Sequence, residues 1–127
     1  MANPAPGFAR HPDHKITLHR SDERIRVSIN GIPLAESRNS VILRESGYPP
    51  VHYLPKADIR TDWLVRSAHS TRCPFKGEAT YWNVDAPDSE VENAGWSYET
   101  PYDEVAEIAG HIAFYTDRVD VTVGGDG

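Results

Sequence analysis

Arg24-Ile25-Arg26-Val27-Ser28-Ile29-Asn30-Gly31 is the stretch that decides the fold class. Polar and apolar residues alternate from 24 to 29, so Ile25, Val27 and Ile29 fall on one side of an extended chain, the pattern of a half-buried strand. Asn-Gly follows at once. Both central positions of a type I′ turn need φ > 0, which this pair tolerates best, so the chain reverses there and Ile32 to Glu36 returns as the partner strand.

The same grammar extends in both directions. Upstream, β character begins at Ile16. Downstream, Val41-Ile42-Leu43 follows a polar break at Arg38-Asn39, and Gly47-Tyr48-Pro49-Pro50 is a turn closed to helix. Val51 to Leu54 is a further strand, and Pro55 to Leu64 has room for a helical turn at most. Ala79 to Val84 and Gly95 to Tyr98 are aromatic and β-branched runs read as a hairpin across the acidic, turn-rich Asp85 to Asn93. One helix is predicted, Pro101 to Ala109, with proline at its start, acids in its first half, Val105, Ile108 and Ile112 at core spacing, and Gly110 as its stop. Ile112 to Tyr115 and Val119 to Val123 complete the strands. The prediction is a mainly β, compact single-domain antiparallel sheet or sandwich with one short C-terminal helix. The domain spans 15–123. The proline-rich opening reads as a flexible arm over 1–14, and 124–127 reads as a loose tail.

Bulk properties narrow the function classes. The 127 residues suit one domain with a real core. A formal charge of −6 argues against general affinity for nucleic acid or anionic lipid, so neither is expected as a partner. No apolar run is long enough to span a bilayer, and the first 16 residues lack a secretory h-region. With a single cysteine there is no internal disulfide, and the cytoplasm is the simplest address.

Cys73-Pro74-Phe75-Lys76-Gly77 is the densest chemical constellation. Cations at Arg72 and Lys76 favour a thiolate at Cys73, which makes it a candidate nucleophile, although a lone cysteine is more often a small buried hydrophobe. Lys76 beside Gly77 suits an anion that approaches the backbone, without the glycine spacing of a P-loop. Tyr53, Tyr81, Trp82, Trp96 and Tyr98 are candidates to line a small-molecule pocket with Lys76. Neighbours on a strand face opposite ways, so Tyr81 and Trp82 cannot both enter it. Glu45 and Asp58 end strand-like runs and are candidate general bases; a surface ion pair for Glu45 with Arg44 or Arg66 and a helix cap for Asp58 compete. Six scattered histidines, of which only His69 stands four residues from Cys73, do not make a metal set, and no site is assigned to a metal or a cofactor. No Gly-x-Ser-x-Gly elbow occurs.

Asn30-Gly31 through Ala35-Glu36-Ser37 to Glu45, Tyr53-Leu54-Pro55-x-x-Asp58, and Cys73-Pro74-Phe75-Lys76-Gly77-x-Ala79-x-Tyr81-Trp82, followed by Trp96-x-Tyr98-x-x-Pro101 and Ala113-Phe114-Tyr115, together resemble the family known as domain of unknown function 427. The resemblance covers about residues 15 to 123. It implies a compact β-rich domain akin to the β-tent or Mss4-like folds, in which many relatives hold zinc in paired Cys-x-x-Cys knuckles; this chain has Cys73 alone. It also carries a nucleotidyltransferase-like label. Such chemistry uses paired carboxylates on magnesium, and the nearest pair here is Asp58 and Asp62, at helical spacing. The leading expectation is a domain that binds a small anionic or planar ligand beside the Cys73–Lys76 turn. An enzyme of nucleotidyltransferase-like or cysteine-dependent type, and a protein-interaction module, are the alternatives.

Overall fold

The computed structural model describes residues 2–124. Ten strands run in order: β1 Ile16–Ser21, β2 Ile25–Ile29, β3 Ile32–Ser37, β4 Ser40–Glu45, β5 Val51–Tyr53, β6 Leu64–Cys73, β7 Gly77–Ala86, β8 Ser89–Ser97, β9 Ile112–Phe114 and β10 Asp120–Val123. They make three antiparallel sheets, with orders β1-β4-β5, β10-β2-β3 and β6-β7-β8-β9. The expected mainly β, antiparallel architecture is therefore present. A bridge from Leu54 to Ile112 ties the first sheet to the third through reciprocal backbone hydrogen bonds of 2.9 and 2.8 Å.

The deciding hairpin forms as read. Ile25, Val27 and Ile29 are buried and Arg26 and Ser28 are not; Asn30 and Gly31 take φ of 49° and 80°. Alternation on the four-stranded sheet then sorts the interior into two clusters. Trp82, Val84, Ala86, Ala94, Ile112 and Phe114 pack with Ile25, Val27 and Leu34. Cys73, Ala79, Tyr81, Trp96, Tyr98 and Ala113 pack with Val41, Leu43, Tyr53, Val105 and Ile108. Because the pleat sends successive residues to opposite faces, this one sheet supplies both cores, and Tyr81 and Trp82 part company as expected.

Four features differ from the sequence reading. The helix over 101–109 is instead a 3₁₀ segment, Asp103–Ile108, interrupted at Val105 (φ −126°, ψ 29°). Val105 and Ile108 are both fully buried, and a three-residue turn sets i and i+3 on one side, which suits a segment too short to reward an α-helix. The predicted 55–64 turn is two 3₁₀ turns, Lys56–Asp58 and Thr61–Trp63. β6 had no signal, since it is largely exposed at a sheet edge and is held by backbone pairing to β7. The acidic stretch 85–93 is largely strand, with the reversal confined to Pro87-Asp88. The acids there alternate outward, so a long hairpin is possible where composition suggested a loop.

Residues 2–14 of the N-terminal arm do not run free of the domain. Ala5 is buried, a single α-turn, α1, occupies Gly7–Arg10, and Phe8 and His14 lie against Phe75. Backbone bonds fasten it: Asn3 N donates to Asp103 Oδ2 at 2.6 Å, Ala5 N to Glu104 Oε1 at 2.9 Å and Gly7 N to the Pro74 carbonyl at 2.9 Å. The proline and small-residue composition that suggested mobility also lets the chain lie close to a surface. Of the tail expected over 124–127, all but Gly124 lies outside the described residues. Among the described residues no helix is long and apolar enough to cross a membrane.

Candidate functional site

The Cys73–Gly77 segment closes the β6–β7 hairpin, with Cys73 paired to Gly77 and Pro74, Phe75 and Lys76 across the bend. Gly77 takes φ of 119°, and the Lys76 carbonyl accepts the Tyr102 amide at 3.0 Å, which seats the bend against the 3₁₀ segment. Lys76 therefore leaves a fixed backbone. Its ammonium donates to Glu45 Oε1 at 2.7 Å, and His14 Nε2 meets Glu45 Oε2 at the same distance. Exposure of the three side chains is 8% for Glu45, 15% for Lys76 and 17% for His14, so this is an ion cluster largely withdrawn from water. His14 also stacks on Phe75, with ring centroids 4.0 Å apart. Glu45 thus joins β4, the β6–β7 bend and the N-terminal arm. Its partners are Lys76 and His14; neither Arg44 nor Arg66 pairs with it.

The cluster borders a cavity of about 570 Å³. Tyr81 and Trp96 face each other across the β7–β8 ladder, Tyr98 lies two residues on along the same face, and Tyr53 and Tyr115 arrive from β5 and the end of β9. Trp96 Nε1 donates to the Tyr53 hydroxyl at 3.2 Å. Tyr115 packs against Trp96 with centroids 4.5 Å apart. Burial disfavours phenolate in this company: it pushes Tyr53 and Tyr98 well above the usual tyrosine value, and pushes Tyr115 up to about 12, with the nearby Tyr81 hydroxyl adding to that shift. These phenols stay neutral donors at any ordinary pH.

Seven of the nine residues singled out from sequence line this one cavity: Glu45, Tyr53, Cys73, Lys76, Tyr81, Trp96 and Tyr98. Cys73 is half-buried and also packs against the aromatic cluster. Two do not line it. Trp82 turns to the opposite face, where its Nε1 donates to Ser97 Oγ at 2.9 Å and Lys56 lies over its ring. Asp58 accepts from Ser37 Oγ at 2.6 Å and lies beside a separate groove near Trp63. Asp62, its neighbour by spacing, is paired with Arg60. Among the described residues no three His, Cys, Asp or Glu side chains are grouped to hold a metal ion.

His14, Phe75, Tyr48 and Tyr115 also line the cavity without having been singled out as site residues. Tyr115 had a usable signal, since it stands two residues beyond Ala113 in the strand-like run that ends the resemblance. His14 had none, because it comes from a segment whose composition says nothing about where it packs. A second cavity of about 200 Å³ lies beyond Trp96 and Tyr115, bounded by Ile25, Val27, His52, Leu54 and Phe114 and, among the described residues, by no Asp, Glu, Lys or Arg. The larger cavity is the better chemical candidate, because it alone combines aromatic walls with a buried ion cluster.

A sequence model of one protein family, described as Domain of unknown function (DUF427), matches residues 17–125. No curated protein matches the chain.

Proposed function

Since the chain belongs to the domain of unknown function 427 family, whose description assigns no reaction, we propose its function from its site: it binds a small planar ligand in the cavity beside the Cys73–Lys76 turn. The observation that carries this reading is the convergence of Tyr53, Tyr81, Trp96, Tyr98 and Tyr115 from β5, β7 and the ends of β8 and β9 on one space of about 570 Å³. Rigid aromatic walls lose little entropy on binding, and a few fixed polar groups orient what they hold. Lys76, tied at its backbone and through Glu45, is such a group. We place the protein in the cytoplasm, with neither nucleic acid nor membrane as partner, on its acidic composition and lone cysteine.

A thermal-shift screen of nucleobases, nucleotides, sugars and aromatic acids tests the reading, because a ligand of the folded form raises Tm by mass action. A hit should also change Trp96 fluorescence, and that change should vanish in Trp96→Phe while Trp63 and Trp82 still report. Hits whose effect survives Trp96→Phe unaltered would place binding elsewhere.

One observation favours an enzyme as the second reading: Cys73 and Glu45 line the same cavity, a thiol and a carboxylate, with the Lys76 ammonium held on Glu45. Alkylation of Cys73 in the folded protein at neutral pH, slowed by a cavity ligand, would favour it. The nucleotidyltransferase-like label gains no support from Asp58 and Asp62, which are engaged outside the cavity.

A further inference from the structure

The hydrogen-bond inventory of the cavity is one-sided. Among the described residues Glu45 is the only carboxylate lining it, and each of its oxygens already faces a partner, Lys76 on one and His14 on the other. Lys76, Tyr53 and Tyr98 are donors with capacity left. An ammonium carries three N–H bonds and Lys76 uses one on Glu45. The Tyr53 hydroxyl accepts from Trp96, which leaves its own proton to give, and among the described residues the Tyr98 hydroxyl has no hydrogen-bond partner. Burial holds both phenols protonated.

We infer that the ligand is a planar aromatic carboxylate, its ring lying among Tyr81, Trp96 and Tyr115 and its carboxylate taken by Lys76 with the hydroxyls of Tyr53 and Tyr98. The inference rests on the reading of this cavity as a ligand site and adds the ligand's chemistry. A cage of aromatic faces with a carboxylate beside it also suits a quaternary ammonium. Here the carboxylate is already engaged by Lys76, and that ammonium shares the cavity, so a second cation enters against like charge. Because Lys76 and Glu45 cancel, an anion gains little from net field. Its gain comes from oriented, charge-assisted hydrogen bonds, which makes the discrimination local and directional.

Titration of the full chain with 2-naphthoate, 2-naphthamide and 2-naphthyltrimethylammonium, followed by calorimetry and Trp96 fluorescence, tests this. The carboxylate should bind at least about tenfold tighter than the amide, the ratio expected when an ionised acceptor replaces a neutral one on a charged donor. Lys76→Gln keeps a donor to Glu45 and removes the charge, so it should bring the two probes to within about threefold. Tyr98→Phe, which keeps the ring, should weaken the carboxylate severalfold even if the Lys76 variant folds poorly. Amide or ammonium binding as tightly as the carboxylate overturns the inference and leaves the cavity reading standing. If none of the three probes binds or moves the Trp96 signal, both fall.

Discussion

Replacing Lys76 with methionine keeps most of the aliphatic stem and deletes the ammonium that faces Glu45 at 2.7 Å. Removing one partner of a fully buried ion pair costs about 3–5 kcal/mol, most of it the charge left behind. Two structural facts reduce that figure: the side chains retain 8% and 15% exposure, and His14 still meets the second carboxylate oxygen. The expected loss is about 2–3 kcal/mol, or a fall in Tm of roughly 8–12 °C for a domain of this size. Glu45→Gln should cost about 1–2 kcal/mol, since a neutral acceptor remains for Lys76. The double variant should be more stable than the two losses added together by about 1–2 kcal/mol, because no unpaired charge is left inside. Urea unfolding of all four proteins, read by circular dichroism, measures this provided the m-value is unchanged. Repeating it in high salt should leave the coupling nearly intact, as expected of a pair withdrawn from solvent. If the single losses add to within about 0.5 kcal/mol, Glu45 and Lys76 are a solvated surface pair and the electrostatics assigned to the cavity rim are wrong.

Tyr53→Phe should cost about 1–2 kcal/mol, because it strands the Trp96 indole N–H beside a fully buried ring; urea titration with Trp96 emission as a second signal checks it. Gly95→Ala should destabilise by more than about 2 kcal/mol, since its Cβ would stand 2.6 Å from the Ala113 carbonyl oxygen and force β8 from β9; a Tm within 2 °C of the parent refutes that packing. Alkaline pH acts through Tyr53, Tyr98 and Tyr115, whose folded-state values lie above the ordinary value of 10. The unfolded chain loses these protons first, so their contribution is complete below about pH 10 and falls as pH rises toward and through 12. Phenolate absorbance should therefore show about half of the six tyrosines titrating late, with unfolding, and a single early transition would contradict the burial assigned to them.

Legibility followed the physical range of each interaction. Ile25, Val27 and Ile29 announce a strand because one face is buried and the other wet, and Asn30-Gly31 announces its turn because few residues tolerate positive φ. β6 announced nothing, since an exposed edge strand is held through backbone groups that every residue carries. Asp103–Ile108 carried a helical pattern, yet three-residue spacing of buried Val105 and Ile108 serves a 3₁₀ turn as well. At the site, the parity rule separated Tyr81 from Trp82 without saying which of them entered the cavity.

Residue chemistry and local periodicity were enough to establish the antiparallel β class, the bend at Cys73–Gly77 and most of the side chains around it, because these depend on neighbours within a few positions. Three features were decided only by the tertiary structure: the meeting of Glu45, Lys76 and His14, the arrival of Tyr53 and Tyr115 beside Trp96, and the departure of Trp82 and Asp58 from the cavity. Each depends on contacts between segments 15 to 43 residues apart, or on which face of a sheet finds a partner, and chain order alone encodes neither in any local pattern.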